Sequence, residues 1–214
     1  MGAGHFGSSL LHKFQRSMKM NLSLKRKQIV AFAALALLLI TAFLALRKCG
    51  DYLVVDNARK SDVILIPARG LPRRYDRGFD LLRNGYAPHL IADVPAINYF
   101  GNPAPEMAEK YFAQQQVLAS KIDICVVKIT LPESIQAGKC LEKFQPKSVL
   151  IVAGEFQTRR ALIDFSRNLP QYQWSVTPSQ PHPQFPVPWW TNQHLARIVY
   201  TEWNQLLWSE IFDR

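Results

Sequence analysis

Arginines beside glycines are the residues of this chain best suited to chemistry, and they gather in two places. Pro67-Ala-Arg-Gly-Leu-Pro-Arg-Arg74 follows a short apolar run and leads into a helical one. Arg69, Gly70, Arg73 and Arg74 would stand at that helix's N-terminus, where unpaired N–H groups already favour a phosphate or carboxylate. Gly154-Glu-Phe-Gln-Thr-Arg-Arg160 repeats the arrangement after a second apolar run, offering Gly154, Gln157 and Arg160 as ligand contacts. The plainer alternative makes the arginines solvent-facing and leaves Glu155 to complement a helix dipole. A third segment, Lys128-Ile-Thr-Leu-Pro-Glu-Ser134, reads as structural, with Thr130 capping a helix and Glu133 as its capping-box partner. Neither GxGxxG nor a Walker A pattern occurs, which excludes a motif-based dinucleotide or P-loop assignment. No metal-ligand spacing appears. His182 and His194 flank Trp189-Trp190 without a nucleophile or metal partner and read as surface or packed residues. These residues assign no catalytic group and no cofactor.

The elements that must position these segments alternate along the chain. Strand patterns fall at 62–67, 88–92, 122–129, 148–153 and 174–177, each a short β-branched or apolar run. Helical patterns fall at 72–84, 106–118, 132–144, 156–168 and 189–212, and Gly85 is placed to stop the first. The stretch 93–105 reads as a surface loop on its Pro, Gly and Asn content, and 179–188 as extended and irregular on its Pro density. Strands separated by helices imply right-handed crossovers and a mainly parallel sheet with helices on both faces, an α/β fold. Ligands of such sheets bind beyond the carboxyl ends of the strands, where all three segments fall.

Ahead of this domain lies a different kind of sequence. Residues 29–46 carry no charge, Gly or Pro, and only Thr41 is polar. Eighteen residues of helix span roughly 27 Å, close to a hydrocarbon core. Basic residues flank both ends, and a long preceding segment with no small-x-small site cleanly at the end of the apolar run disfavours a cleaved signal peptide. The layout expected is a basic N-terminal cytoplasmic segment at 1–28, a transmembrane helix at 29–46 and an α/β domain at 51–214. Six Lys/Arg before the span against four soon after it put the N-terminus in the cytoplasm of a single-pass plasma-membrane protein, with the domain extracytoplasmic.

The net charge of +10 does not signal nucleic acid. Residues 1–50 hold eight basic residues and no acid, leaving eighteen positive against sixteen negative beyond them. The partner implied is a membrane. Of the three cysteines, Cys125 and Cys140 read as two independent buried thiols; a bridge between them would require an oxidising compartment. The oligomeric state is open.

The order of segments resembles the YdcF-like family, the group that includes SanA and ElyC, of mostly bacterial envelope-associated proteins. Asp62-Val-Ile-Leu-Ile stands where the family has its first strand. Arg74-Tyr-Asp-Arg-Gly-Phe-Asp-Leu-Leu-Arg-Asn-Gly-Tyr-Ala-Pro88 is similar to its Arg-led helix, and 149–161 to its strand and Arg-bearing turn. Trp189-Trp190 followed by Glu202 looks like its WW…E tail. The resemblance implies a Rossmann-like three-layer domain, a role in cell-envelope metabolism and an anionic ligand, phosphate-bearing and small or lipid-linked. The chain also departs from the family. Ala68-Arg69-Gly70 replaces three glycines, Lys128 stands near its strand-three Glu, and 132–134 falls at its Thr-x-x-Asn. Gln157 replaces its His, while Arg74 and Arg160 are kept. Two expectations follow: an anion-binding domain built on Arg74 and Arg160, or a degenerate membrane-tethered interaction module.

Overall fold

Val63–Ile66, strand β1, leaves no side chain for water: all four residues are buried. A strand buried on both faces still has backbone N–H and C=O groups to satisfy along both edges. In the computed structural model, which describes residues 6–68, 72–115, 120–128, 132–180 and 188–212, two parallel neighbours supply the partners. They are β2 (His89–Pro95) and β6 (Ser148–Ala153). β5 (Ile122–Val127) pairs outside β2 and β7 (Gln173–Pro178) outside β6, giving a five-stranded parallel sheet of order β5-β2-β1-β6-β7. Asp62 fixes its lower edge, one carboxylate oxygen accepting the N–H groups of Lys147 and Ser148 at 2.8 and 2.9 Å.

Parallel pairing requires a crossover between neighbours, and helices supply it. α2 (Pro72–Arg83) and α3 (Ala104–Ala113) pack Phe79, Leu82 and Phe112 on one face, against Ile64, Ile66, Leu90 and Leu150. α4 (Glu133–Leu141) and α5 (Thr158–Asn168) cover the other with Ala137, Leu141 and Phe165, against Leu65, Ile91 and Ile151. The result is the expected Rossmann-like α/β domain, and all five expected strands are present in one sheet. A 3-10 turn at Trp189–Thr191 precedes α6 (Gln193–Phe212), which builds a third core from Trp189, Val199 and Leu206 with Phe156 and Leu53.

The structure corrects several element boundaries. Asp93–Pro95 belongs to β2, because the ladder with β5 continues from Asp93↔Cys125 to Pro95↔Val127. The rest of the expected loop at 93–105 contains a hairpin, β3 (Asn98–Tyr99) and β4 (Asn102–Pro103), whose turn residues Phe100 and Gly101 both have positive φ. α3 starts at Ala104 and ends at Ala113; part of the expected extension to 118 lies outside the described residues. α4 begins at Glu133 behind Pro132, so Glu133 is the first helical residue and not a capping-box partner; Thr130 lies outside the described residues. α6 starts four residues late because Asn192 caps it, accepting the N–H groups of His194 and Leu195 at 2.9 and 3.2 Å. Cys125 and Cys140 form a disulfide, contrary to the two separate thiols expected. Packing of α4 on β5 brings their Cα atoms to 6.0 Å, a proximity that their spacing does not reveal.

The chain divides into two compact units, Met1–Lys48 and Cys49–Arg214. In the first, α1 (Phe6–Leu53, whose last residues belong to the second unit) extends helix through the basic segment that precedes the apolar run. Its stretch Arg26–Leu53 is long and apolar enough to cross a membrane, and its apolar window is not buried by the protein, unlike the core helix of a soluble domain. The Thr41 hydroxyl donates to Leu38 O at 2.9 Å, removing its demand for water.

α2 ends as its sequence predicts. Gly85 adopts φ +69°, the Gly85 N–H reaches Leu82 O at 3.2 Å, and the Tyr86 N–H reaches Leu81 O at 3.0 Å, a Schellman arrangement. An added Cβ at Gly85 meets nothing within 4 Å, so only the backbone conformation opposes substitution. Gly85→Ala is expected to cost about 1 kcal/mol, read as a fall in melting temperature with the fold unchanged.

Candidate functional site

Because the sheet is parallel, the carboxyl ends of its strands face one way, and the strand order reverses between β1 and β6. A cleft of about 1470 Å³ opens there, lined by Pro67 and Ala68 after β1, Pro95 of β2, Lys128 after β5 and Ala153 of β6. The first turns of α2, α4 and α5 contribute Arg74, Glu133 and Arg160, and α6 closes one side with His194, Glu202 and Trp208.

A chain of hydrogen bonds crosses this cleft. Arg74 is 7% exposed, and its guanidinium donates to the side-chain oxygen of Gln157. The Gln157 amide then donates to Glu202 Oε1 at 2.9 Å. Glu202, 3% exposed on α6, accepts Arg160 Nε at 2.7 Å through its other oxygen, and Arg160 Nη1 donates to Asp164 Oδ2 at 3.1 Å. The order is therefore Arg74–Gln157–Glu202–Arg160–Asp164. Gly154 makes it fit: a Cβ there would stand 2.8 Å from Gln157 Oε1 and 3.0 Å from Arg74 Nη2.

The two arginines are not equivalent. Burial would lower the Arg160 pKa, but the hydrogen bond and charge of Glu202, with Asp164 behind them, hold it above its ordinary value. Asp164 is raised by burial, against the pull of Arg160. Arg74 has no carboxylate within ion-pair distance among the described residues. Burial lowers its pKa, and Glu133 and Glu155 offset this only from beyond ion-pair range. A guanidinium stays charged even so, and a buried cation facing a neutral amide is short of negative charge. Arg74 can bind an anion directly; Arg160 is already neutralised and fixes Glu202.

Four of the six expected contacts, Arg74, Gly154, Gln157 and Arg160, thus meet at one place. Arg69 and Gly70 lie outside the described residues, as does His182. Arg73 is exposed. His194 lines the cleft, but no group of three His, Cys, Asp or Glu able to hold a metal occurs among the described residues. Sequence reasoning missed Glu202 and Asp164 as members of the site. Glu202 was visible only as the acid that follows the Trp pair, since 42 residues separate it from Arg160.

It also missed a buried acid beside the cleft. Asp93 is fully buried, and neither of its carboxylate oxygens has a partner among the described residues; Glu133 Oε1 is likewise buried and unpartnered. Burial first, then the charge of Glu133, pushes the Asp93 carboxyl well above its ordinary 3.8. A carboxyl raised in the folded state contributes stability that is full below the unfolded value and is lost as pH rises towards the folded one. Asp93→Asn should therefore gain on the wild-type protein as pH rises from about 4 to about 8, in melting temperatures taken across that range. A constant difference would show that Asp93 titrates normally.

No family model matches the chain, and no curated protein matches it. Among solved structures, it is similar to a protein from the universal stress protein family from Burkholderia pseudomallei. The match has 10% identity and a TM-score of 0.33, and covers 55% of this chain and 96% of that one.

Proposed function

We propose that this chain is a membrane-anchored, YdcF-like α/β domain that binds an anionic, phosphate-bearing ligand in bacterial cell-envelope metabolism. The observation that carries the reading is Arg74: a guanidinium buried at the strand ends, beside an open cleft, whose hydrogen-bond partner is an amide. A phosphate oxygen is the natural complement of such a group, and the N-terminal turn of α2 adds N–H dipoles of the same sense. Arg160, Glu202 and Gln157 hold the site open and oriented. The ligand is a small molecule or a lipid-linked one; nucleic acid does not suit a domain whose charges nearly balance.

A second reading rests on one feature, the neutralisation of Arg160 by Glu202 and Asp164. With half of the cationic pair tied up, the domain would serve as a tethered interaction module that has given up ligand binding.

For localisation, we favour a single-pass plasma-membrane protein with its domain outside the cytoplasm. The excess of basic residues before the apolar run supports this, and so does the Cys125–Cys140 disulfide, since disulfides persist in oxidising compartments.

Two measurements test these readings. The full-length chain in detergent is heated with pyrophosphate and, separately, with nucleotide sugars. A ligand at a hundred times its dissociation constant adds about 2.7 kcal/mol, which should appear as a raised melting temperature. Arg74→Ala should abolish the shift. Gly154→Ala should weaken it while leaving the fold intact, because its methyl displaces only the ends of Gln157 and Arg74. An equal shift in Arg74→Ala would remove the anion site, and no shift with any probe would favour the interaction module. For topology, cells are denatured in acid and the protein is then exposed to a thiol-reactive reagent of high mass, with and without prior reduction. Cys125 and Cys140 should gain label only after reduction; labelling of both without it would place the domain in the cytoplasm.

A further inference from the structure

α6 carries a second surface, turned away from its buried side. Tyr200, Leu207 and Ile211 are seven and four residues apart, which puts them on one face of the helix, and they are 71%, 50% and 65% exposed. Exposed apolar residues scattered singly need no explanation, but three on one face over about 16 Å of one helix, with the exposed Asn204 between the first two, form a stripe. Trp203 borders that stripe, and its indole N–H donates to the carbonyl of Cys49 at 3.1 Å. Its ring stacks on Tyr52 with centroids 5.3 Å apart and an interplanar angle of 17°. The Arg159 guanidinium lies 3.9 Å from the Tyr52 ring centroid.

Chain connectivity says what this surface lies close to. Cys49 comes three residues after Leu46, the last residue of the uncharged apolar run, and helix continues through both. Three residues of helix advance about 4.5 Å. Trp203 therefore stands within side-chain reach of the point where the chain leaves the apolar run, whatever angle the anchor takes. Tyr and Trp with an Arg on one of their rings, bordered by Leu and Ile, is the composition that settles at a bilayer surface. Aromatic rings and guanidinium take the headgroup level and the aliphatic chains go below it.

We infer that α6 docks on the bilayer its own anchor crosses, with Tyr200, Leu207 and Ile211 in the headgroup–acyl boundary and Tyr52, Trp203 and Arg159 beside them. The inference rests on reading α1 as a membrane anchor. It gives the domain a preferred face towards the membrane. Since α6 also contributes Glu202 and Trp208 to the cleft, docking would bring the site to the membrane surface.

The test uses the full-length chain carrying Cys49→Ser, with the Cys125–Cys140 disulfide intact, in vesicles of phosphatidylethanolamine and phosphatidylglycerol. Nitroxide labels are placed singly through Leu207→Cys and Ile211→Cys, with Leu38→Cys in the anchor and Glu109→Cys on α3 as references. All four positions are exposed. Collisional broadening by an aqueous nickel complex should be lost at Leu207 and Ile211, replaced by broadening from lipid-soluble oxygen as at Leu38, while Glu109 keeps the nickel effect. If Leu38 itself is open to nickel, the anchor reading fails and the docking with it. Leu38 in lipid with Leu207 and Ile211 as open to nickel as Glu109 would overturn the docking alone. Shielding from both reagents, with dipolar broadening between labels on two molecules, would assign the stripe to a second copy and overturn it equally.

Discussion

The structure depends on β1 being apolar on both faces and needing backbone partners on both edges. Four residues without a polar side chain cannot sit at a sheet margin or a water-facing surface. They force the strand to the centre, with β2 on one edge and β6 on the other. Parallel pairing on both sides then demands helical crossovers in both directions, and the two layers of helices follow. So does the site. The two crossovers leave β1 and β6 towards opposite faces, so no helix covers the gap between their carboxyl ends, and the cleft opens there.

Polar groups brought to such a gap lose water and must find partners nearby. Gln157, Glu202, Arg160 and Asp164 do so, each within hydrogen-bond distance of the next. α6 makes this possible by delivering an acid from the far end of the chain, and its position follows in turn from the apolar contacts of Trp189, Val199 and Leu206 with Phe156 and Leu53. Two groups remain short of partners. Among the described residues, Arg74 has only the Gln157 amide and Asp93 has none. Their opposite signs give them different consequences. Arg74 cannot discharge itself, whereas Asp93 can take up a proton and become neutral.

Gly50 and Val55 make close contacts inside the second unit, with α5 and with the turn before α6. Val55 N–H donates to the buried Thr158 hydroxyl at 2.7 Å, and Gly50 lies so close to the Trp189 indole that any Cβ there would collide with it. The residues that follow the apolar run are thus part of the domain's own packing.

Much of the fold was legible in the sequence. Val63–Ile66 and Ser148–Ala153 are unbroken apolar runs that only a buried strand accommodates, Gly85 marks a helix end by its φ, and 29–46 has no polar residue to face water except a self-satisfied threonine. These are local properties, decided by side-chain chemistry within a few residues. Part of the site was legible for the same reason: Arg74 and Arg160 stand at helix starts just beyond apolar strands. What the sequence could not decide is which charges meet. Glu202 lies 42 residues from Arg160, Asp93 looks like a loop residue until β5 pairs with it, and Cys125 meets Cys140 only once α4 packs on β5. Spacing along the chain bears on distance in space only within one element. Across elements the packing of the sheet sets the distance, and the packing left one arginine neutralised and the other without a counter-ion among the described residues.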